Sequence, residues 1–183
     1  NGITTFCDGY FFEESAAQAV MESGLRAVLG QGILDFPTPD APDPRRARAR
    51  AESFLDAFPG GLSRLKPSLF CHAPYTCAPD TLRWVKDLCR EHGLLFQIHL
   101  SETESEVRII RETYGRSPVH HLDALGILDE STIAAHAVWV TPEEVEVLSE
   151  RCVGISHNAT SNMKLASGTA PLPDLLGSGV SVG

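Results

Sequence analysis

The sequence predicts an α/β fold on a parallel sheet, wound as a (β/α) barrel rather than opened flat. Three observations predict it. Short apolar runs alternate with helical stretches along all 183 residues, the order that calls for right-handed crossovers between parallel strands. No G-x-G-x-x-G follows any strand, so an open sheet has no dinucleotide fingerprint to support it. His72, His99, His136 and His157 each stand at the C-terminal end of a predicted strand. A barrel gathers such positions onto one mouth, whereas an open sheet spreads them along a line.

Residues 1–4 read as the entry to a strand. Residues 3–7 are β-rich, and 13–24 are helical with a stop at Gly24. Residues 26–29 make the next strand. Residues 31–44 follow as a long loop with prolines at 37, 39, 42 and 44, a length often found in lids and substrate loops. The helix after it carries Arg45, Arg46, Arg48 and Arg50, which read as the solvated face of an acidic chain. Residues 66–71 form a strand that ends at His72-Ala73-Pro74-Tyr75. Pro79 opens a helix with Leu82, Val85, Leu88 and Cys89 at helical spacing, stopped by Gly93. Residues 94–100 are the signature of a strand buried on both faces, and an acidic helix follows. Ser117-Pro118 starts a helical segment that ends near Gly126, and 133–136 is a strand. Thr141-Pro142-Glu143-Glu144 is a capping box with proline at the first position. Residues 153–157 form a strand, 171–176 a short helix, and 180–183 begin one more strand. No repeat, low-complexity tract or linker divides the chain, so a single partial barrel domain over residues 1–183 is expected.

Hydrophobic content of 43% and charged content of 21% are those of a soluble globular protein. The net charge, 15 − 24 = −9 with neutral histidines, argues against nucleic acid or anionic lipid as partner. No apolar run reaches membrane-spanning length. Five cysteines, odd in number and without a C-x-x-C pair, indicate neither a disulfide framework nor a zinc knuckle. They point to a reducing, cytoplasmic compartment.

The chemistry concentrates at His99-Leu100-Ser101-Glu102, where a strand turns into a helix. An imidazole and a carboxylate three residues apart at a strand's C-terminal edge can hold a divalent metal and move a proton beside it. A plainer reading fits the same residues. Ser101 with Glu104 makes a capping box, and Glu102 complements the helix dipole. The recurrence of histidine at three further strand ends favours the chemical reading, because one metal and substrate site accounts for all four.

His99-Leu100-Ser101-Glu102-Thr103, Ala134-Ala135-His136 and Ser156-His157-Asn158-Ala159-Thr160-Ser161-Asn162-Met163-Lys164-Leu165, with His72-Ala73-Pro74-Tyr75, closely resemble the amidohydrolase superfamily. The resemblance is to its methylthioadenosine/S-adenosylhomocysteine deaminase branch and the related chlorohydrolases. It implies an incomplete (β/α)8 TIM-like barrel of the metal-dependent hydrolase type, running from the second strand to the start of the eighth. It further implies one divalent metal, zinc or sometimes iron, and hydrolytic deamination of a purine or related small heterocycle. Triazine- or guanine-type hydrolysis is the alternative within the superfamily, and an inactive self-associating scaffold the alternative outside it.

By that resemblance His99 is a metal ligand, Glu102 the proton shuttle, His136 the group that orients the attacking water, and His72 a substrate contact. Asn158 and Asn162 are expected to be structural, holding the loop after the family's seventh strand. Members of the family carry two ligands on the first strand and an aspartate ligand at the end of the eighth, so His99 is one of four. Trp139 stands where relatives often have a second histidine, and Gln31 where some deaminases have an arginine. The 183-residue chain alone is therefore expected to bind metal weakly, to lack activity, and to associate through open barrel edges.

Overall fold

Each apolar run becomes a strand of one parallel sheet in the computed structural model, which describes residues 2–58 and 63–183. The strands are β1 (Thr5–Tyr10), β2 (Arg26–Ile33), β3 (Leu65–Cys71), β4 (Leu95–Leu100), β5 (Thr132–His136), β6 (Gly154–Ser156) and β7 (Ser181–Val182). Among the described residues they lie in sequence order, each parallel to its neighbour. Between them run α1 (Glu13–Ser23), α2 (Ala47–Ala57), α3 (Pro79–His92), α4 (Glu104–Tyr114), α5 (Pro118–Ala124), α6 (Pro142–Glu150), α7 (Ala159–Lys164) and α8 (Leu172–Gly177). Asn1, part of the expected strand entry, lies outside the described residues.

Two faces of the sheet divide the side chains. Leu29, Ile33, Leu69, Phe96, Ile98, Leu100 and Ala134 point outward and pack with Phe54, Leu82, Val85, Val145 and Leu148 of the helices in one buried cluster. Each Leu, Ile, Val or Phe among them contributes roughly 1.5–3 kcal/mol by leaving water. The alternate residues Cys7, Phe70, Gln97, Ala135 and Ser156, drawn from five strands, line one cavity of about 220 Å³. The sheet therefore curls around an interior, as a barrel does. That interior is polar where Gln97 donates to Ser68 Oγ at 2.7 Å and to the Asp8 carbonyl at 3.1 Å. Glycines make the room: a Cβ on Gly30 would sit 2.6 Å from Gln97 Nε2, and one on Gly9 2.7 Å from the Phe70 ring.

Three local expectations change. The strand expected over 26–29 continues to Ile33, because Gly30 and Gly32 are there for close packing and not as breakers. Gln31 is consequently a fully buried strand residue, and its amide donates to Asp40 at 2.8 Å. Arg50 does not belong to a solvated face; only 17% of its side chain is exposed, and it bridges Glu14 and Asp40. Ser101 and Glu104 do not cap α4. Thr103 is the N-cap, accepting from Glu106 N at 3.2 Å, and Glu104 is merely the first helical residue.

Other signals hold. Thr141 and Glu144 form the reciprocal capping box, and Gly24 and Gly93 end α1 and α3 with φ of 74° and 64°. No helix among the described residues is long and apolar enough to cross a membrane, and all five cysteines are free thiols.

Candidate active site

β3, β4 and β5 end side by side, so the residues at their C-terminal edges become neighbours. The ladder fixes this: Ile98 pairs with Ala134, His99 with Ala135 and Leu100 with His136, and His99 N donates to the His72 carbonyl at 3.1 Å. Beyond the ladder, the turn after β4 and the turn after β5 are stitched together. The Leu100 carbonyl accepts from Ala137 N, and the Ser101 carbonyl from Val138 N and Trp139 N, at 2.8–3.1 Å.

Four of the expected site residues converge there. The His99 ring lies edge-on to His72 at 5.0 Å between centroids and 5.2 Å from the ring of His136. His136 Nε2 stands 3.7 Å from Glu102 Oε1. Phe70 closes the interior side with its ring 4.9 Å from His99. His157, the fourth strand-end histidine, lies one residue past β6 and joins His99 and His136 around an open hollow. Glu102 lies on the turn before α4, outside the helix. One residue before the Thr103 cap, it stands close to the helix N-terminus and to His136 alike.

Two of the rings are held from behind. His72 Nδ1 bonds Thr76 Oγ1 at 2.9 Å, and His136 Nδ1 donates to Asn162 Oδ1 at 2.7 Å. Asn162, expected to be only structural, is 2% exposed and sits against a catalytic candidate. Its place in α7 follows from the turn after β6, which no spacing rule in the sequence connects to residue 136. Asn158 stands at the N-cap position of α7 without a side-chain cap bond, and its Oδ1 accepts from Ser156 Oγ at 3.3 Å. Thr76, four residues after His72, was legible as a neighbour but not as its partner.

Backbone strain collects at the same place. Ser101, His136 and Ala137 hold φ of 50°, 82° and 45°, a region that L-residues adopt only when their surroundings impose it. Such strain costs on the order of 1–3 kcal/mol per residue and is characteristic of functional sites.

Burial governs the electrostatics. It drives the His99 imidazole down to about 3, with the neighbouring His72 and His136 rings adding to the effect. It also lowers His72, against the pull of Glu102. Burial pushes the Glu106 carboxyl up to about 7, although the N–H groups of Glu102 and Ser101 pull the other way.

A neutral imidazole is the metal-ligating form, and His99, held by ring packing at the mouth, suits a divalent metal as one ligand. Among the described residues no group of three or more His, Cys, Asp or Glu side chains is arranged to hold a metal ion. His99 is the one candidate ligand that the family resemblance names in this stretch. Trp139 turns away to donate to the Ser167 carbonyl at 2.7 Å, and Gln31 is bound to the loop that follows β2.

Known proteins match this arrangement along its whole length. The chain is 49% identical over 182 residues to a 5-methylthioadenosine/S-adenosylhomocysteine deaminase of Aquifex aeolicus, covering 100% of this chain and 42% of that protein. It is 42% identical to a 5'-deoxyadenosine deaminase of Methanopyrus kandleri, covering 100% and 42% respectively. A crystal structure of an adenosine deaminase from Xanthomonas campestris with bound zinc superposes with a TM-score of 0.93 at 32% identity, covering 98% of this chain and 40% of that one. The chain thus spans well under half the length of these relatives. The Amidohydrolase family pattern matches residues 1–183, and with the barrel and its mouth in place the chain belongs to the amidohydrolase family.

Proposed function

We propose that this chain is the central part of a metal-dependent amidohydrolase that hydrolytically deaminates an adenine-type nucleoside. The observation that carries the reading is the convergence of His99, His136 and Glu102, with the last two 3.7 Å apart, on the mouth of the barrel. His99 would hold the metal together with ligands supplied from outside this stretch. When bound, a divalent metal, zinc as in the Xanthomonas relative or iron as the alternative, supplies Lewis acidity that brings the water pKa toward ~7.

The chain's own residues do the rest. With Nδ1 donating to Asn162, His136 leaves its Nε2 lone pair facing Glu102. Two acceptors, the Glu102 carboxylate and His136 Nε2, then face one water and fix its direction of attack. Glu102 takes one water proton and gives it to the ring nitrogen beside the amino-bearing carbon. The hydroxyl adds to that carbon, its proton passes to the amino group, and ammonia leaves as the carbonyl forms. His72, anchored through Thr76, presents its free edge to the heterocycle.

Deaminase relatives above 40% identity support an adenosine-type substrate over a guanine or triazine. A cytoplasmic location belongs to the same reading and is supported by the five free thiols. Self-association of the 183-residue chain alone is supported by β1 and β7, each of which pairs on one side only among the described residues.

The test uses the chain extended to the length of its relatives and loaded with zinc. Ammonia release from 5'-substituted adenine nucleosides should be abolished by a chelator and restored by zinc, with guanine and triazines turned over far more slowly. A stoichiometrically loaded enzyme that releases no ammonia from any adenine nucleoside would sink the reading.

A further inference from the structure

Two Thr-x-x-Glu sequences open helices in this molecule, and they are wired differently. At α6 the Glu144 carboxylate returns to the N–H of its own cap, Thr141, at 2.8 Å. At α4 Glu106 bypasses its cap Thr103. Its two carboxylate oxygens instead accept from Ser101 N at 2.7 Å and Glu102 N at 2.9 Å. The same residue is therefore not a helix cap in the usual sense. It is a clamp across the two peptide groups that carry the proton shuttle.

We propose that Glu106 is a positioning residue for Glu102: by holding the N–H groups of Ser101 and Glu102 it aims the Glu102 carboxylate at His136. This rests on the reading of Glu102 as proton shuttle. Three features support it. Glu106 is 2% exposed, and both of its carboxylate oxygens are engaged by the N–H groups of that turn. Ser101 holds φ of 50°, so its turn needs an external clamp to persist. The carbonyl side of that turn is also fixed, since Ser101 O accepts from Val138 N and Trp139 N in the turn that follows His136. Glu106 thus ties down the donor side of the one turn whose acceptor side reaches the His136 loop. Releasing it frees Glu102 and loosens its register with His136.

The experiment compares Glu106→Ala, Glu106→Gln and Glu102→Gln, singly and combined, in the zinc-loaded chain of full relative length. Glu106→Ala should lower kcat by about 10²-fold, the scale of an ångström-level misplacement, with KM within about twofold and metal content unchanged. Glu106→Gln keeps one acceptor and sets an amide against the other N–H, so its loss should be about tenfold. The double variant Glu102→Gln/Glu106→Ala should be no slower than Glu102→Gln alone, because the group through which Glu106 acts is gone. Losses that multiply, or full turnover in a folded Glu106→Ala protein, would overturn the proposal.

Should Glu106→Ala not fold, the isosteric Glu106→Gln carries the same comparison. A crystal structure of Glu106→Gln separates this proposal from the functional reading. Glu102 Oε1 should move out from its 3.7 Å approach to His136 Nε2. An unmoved carboxylate refutes the clamp even if the enzyme deaminates nothing, and wild-type inactivity refutes the reading even if the carboxylate moves.

Discussion

The mouth of the barrel and the polar seam beneath α3 handle buried polar groups in opposite ways. At the seam, Lys86 is fully buried, and its ammonium donates to Asp129 at 2.6 Å, Ser131 at 2.9 Å and Thr132 at 2.8 Å. Asp129 accepts in addition from Arg90 and from the N–H and hydroxyl of Ser131. None of the orphaned buried side-chain atoms among the described residues belongs to this cluster. The mouth has fewer protein partners for its polar atoms among the described residues. Among the described residues, Ser101 Oγ, His157 Nδ1 and Asn162 Nδ2 are buried without a protein partner, and the rings of His72 and His136 are hydrogen-bonded through Nδ1. A network that completes itself adds stability, whereas open polar groups beside strained backbone favour a functional over a structural role.

That contrast makes the two regions separable by experiment. His99→Ala should give the largest effect: in the zinc-loaded enzyme, metal is lost and turnover falls to background, while the urea midpoint stays close to that of the metal-free wild type. Metal analysis beside a denaturation curve checks both halves. Lys86→Ala should do the reverse. It leaves Asp129 without its shortest partner and opens a cavity under α3, so unfolding free energy should drop by about 3 kcal/mol, with kcat preserved in the folded fraction. A Lys86→Ala enzyme with normal stability would erase the distinction.

Asn162→Ala sharpens it further. Removing the acceptor of His136 Nδ1–H frees the ring without touching the seam, and kcat should fall by about tenfold with stability changed little. Replacement by Asp, which keeps the acceptor, should recover most of the loss.

The smallest effect is in acid. Burial opposes ionisation of Asp129, but its bonds from Lys86, Ser131 and Arg90 outweigh it and hold the carboxyl well below the usual range. A carboxyl depressed in the folded state gives stability that is present above the unfolded value of ~3.9 and is lost as pH falls through the folded one. Burial pushes Lys86 downward against the pull of Asp129, yet it stays protonated throughout that acid window, so Asp129 alone sets the sign. The stability gap between wild type and Asp129→Asn should therefore be constant above pH ~5 and shrink below pH ~4. A gap that widened in acid would contradict the assignment.

The sequence made the strands and the principal site residues legible because both leave local marks. Apolar runs such as 94–100 can only be buried strands, and His99 with Glu102 sits where one of them stops. What it concealed are partners brought together by crossovers. Asn162 meets His136 across 26 positions, and Arg50 reaches Glu14 across 36. No periodicity encodes either pair. Gln31 was hidden for another reason: glycines on both sides look like a loop, when Gly30 makes room for Gln97 and Phe70 and Gly32 for the Tyr10 carbonyl and the Phe11 ring. The turn at Ser101 was misassigned because Ser101 and Glu104 have the spacing of a capping box, and only the positive φ of Ser101 shows that the helix begins later.

The account's central claim is that Glu102 moves the proton at this mouth. Measuring kcat and metal content together for Glu102→Gln, in the zinc-loaded chain of full relative length, tests it most directly. The prediction is a fall in kcat of at least ~10²-fold, the scale of a lost general acid–base group, with metal content near wild type. Full turnover on every substrate that the wild type accepts would mean that Glu102 moves no proton there.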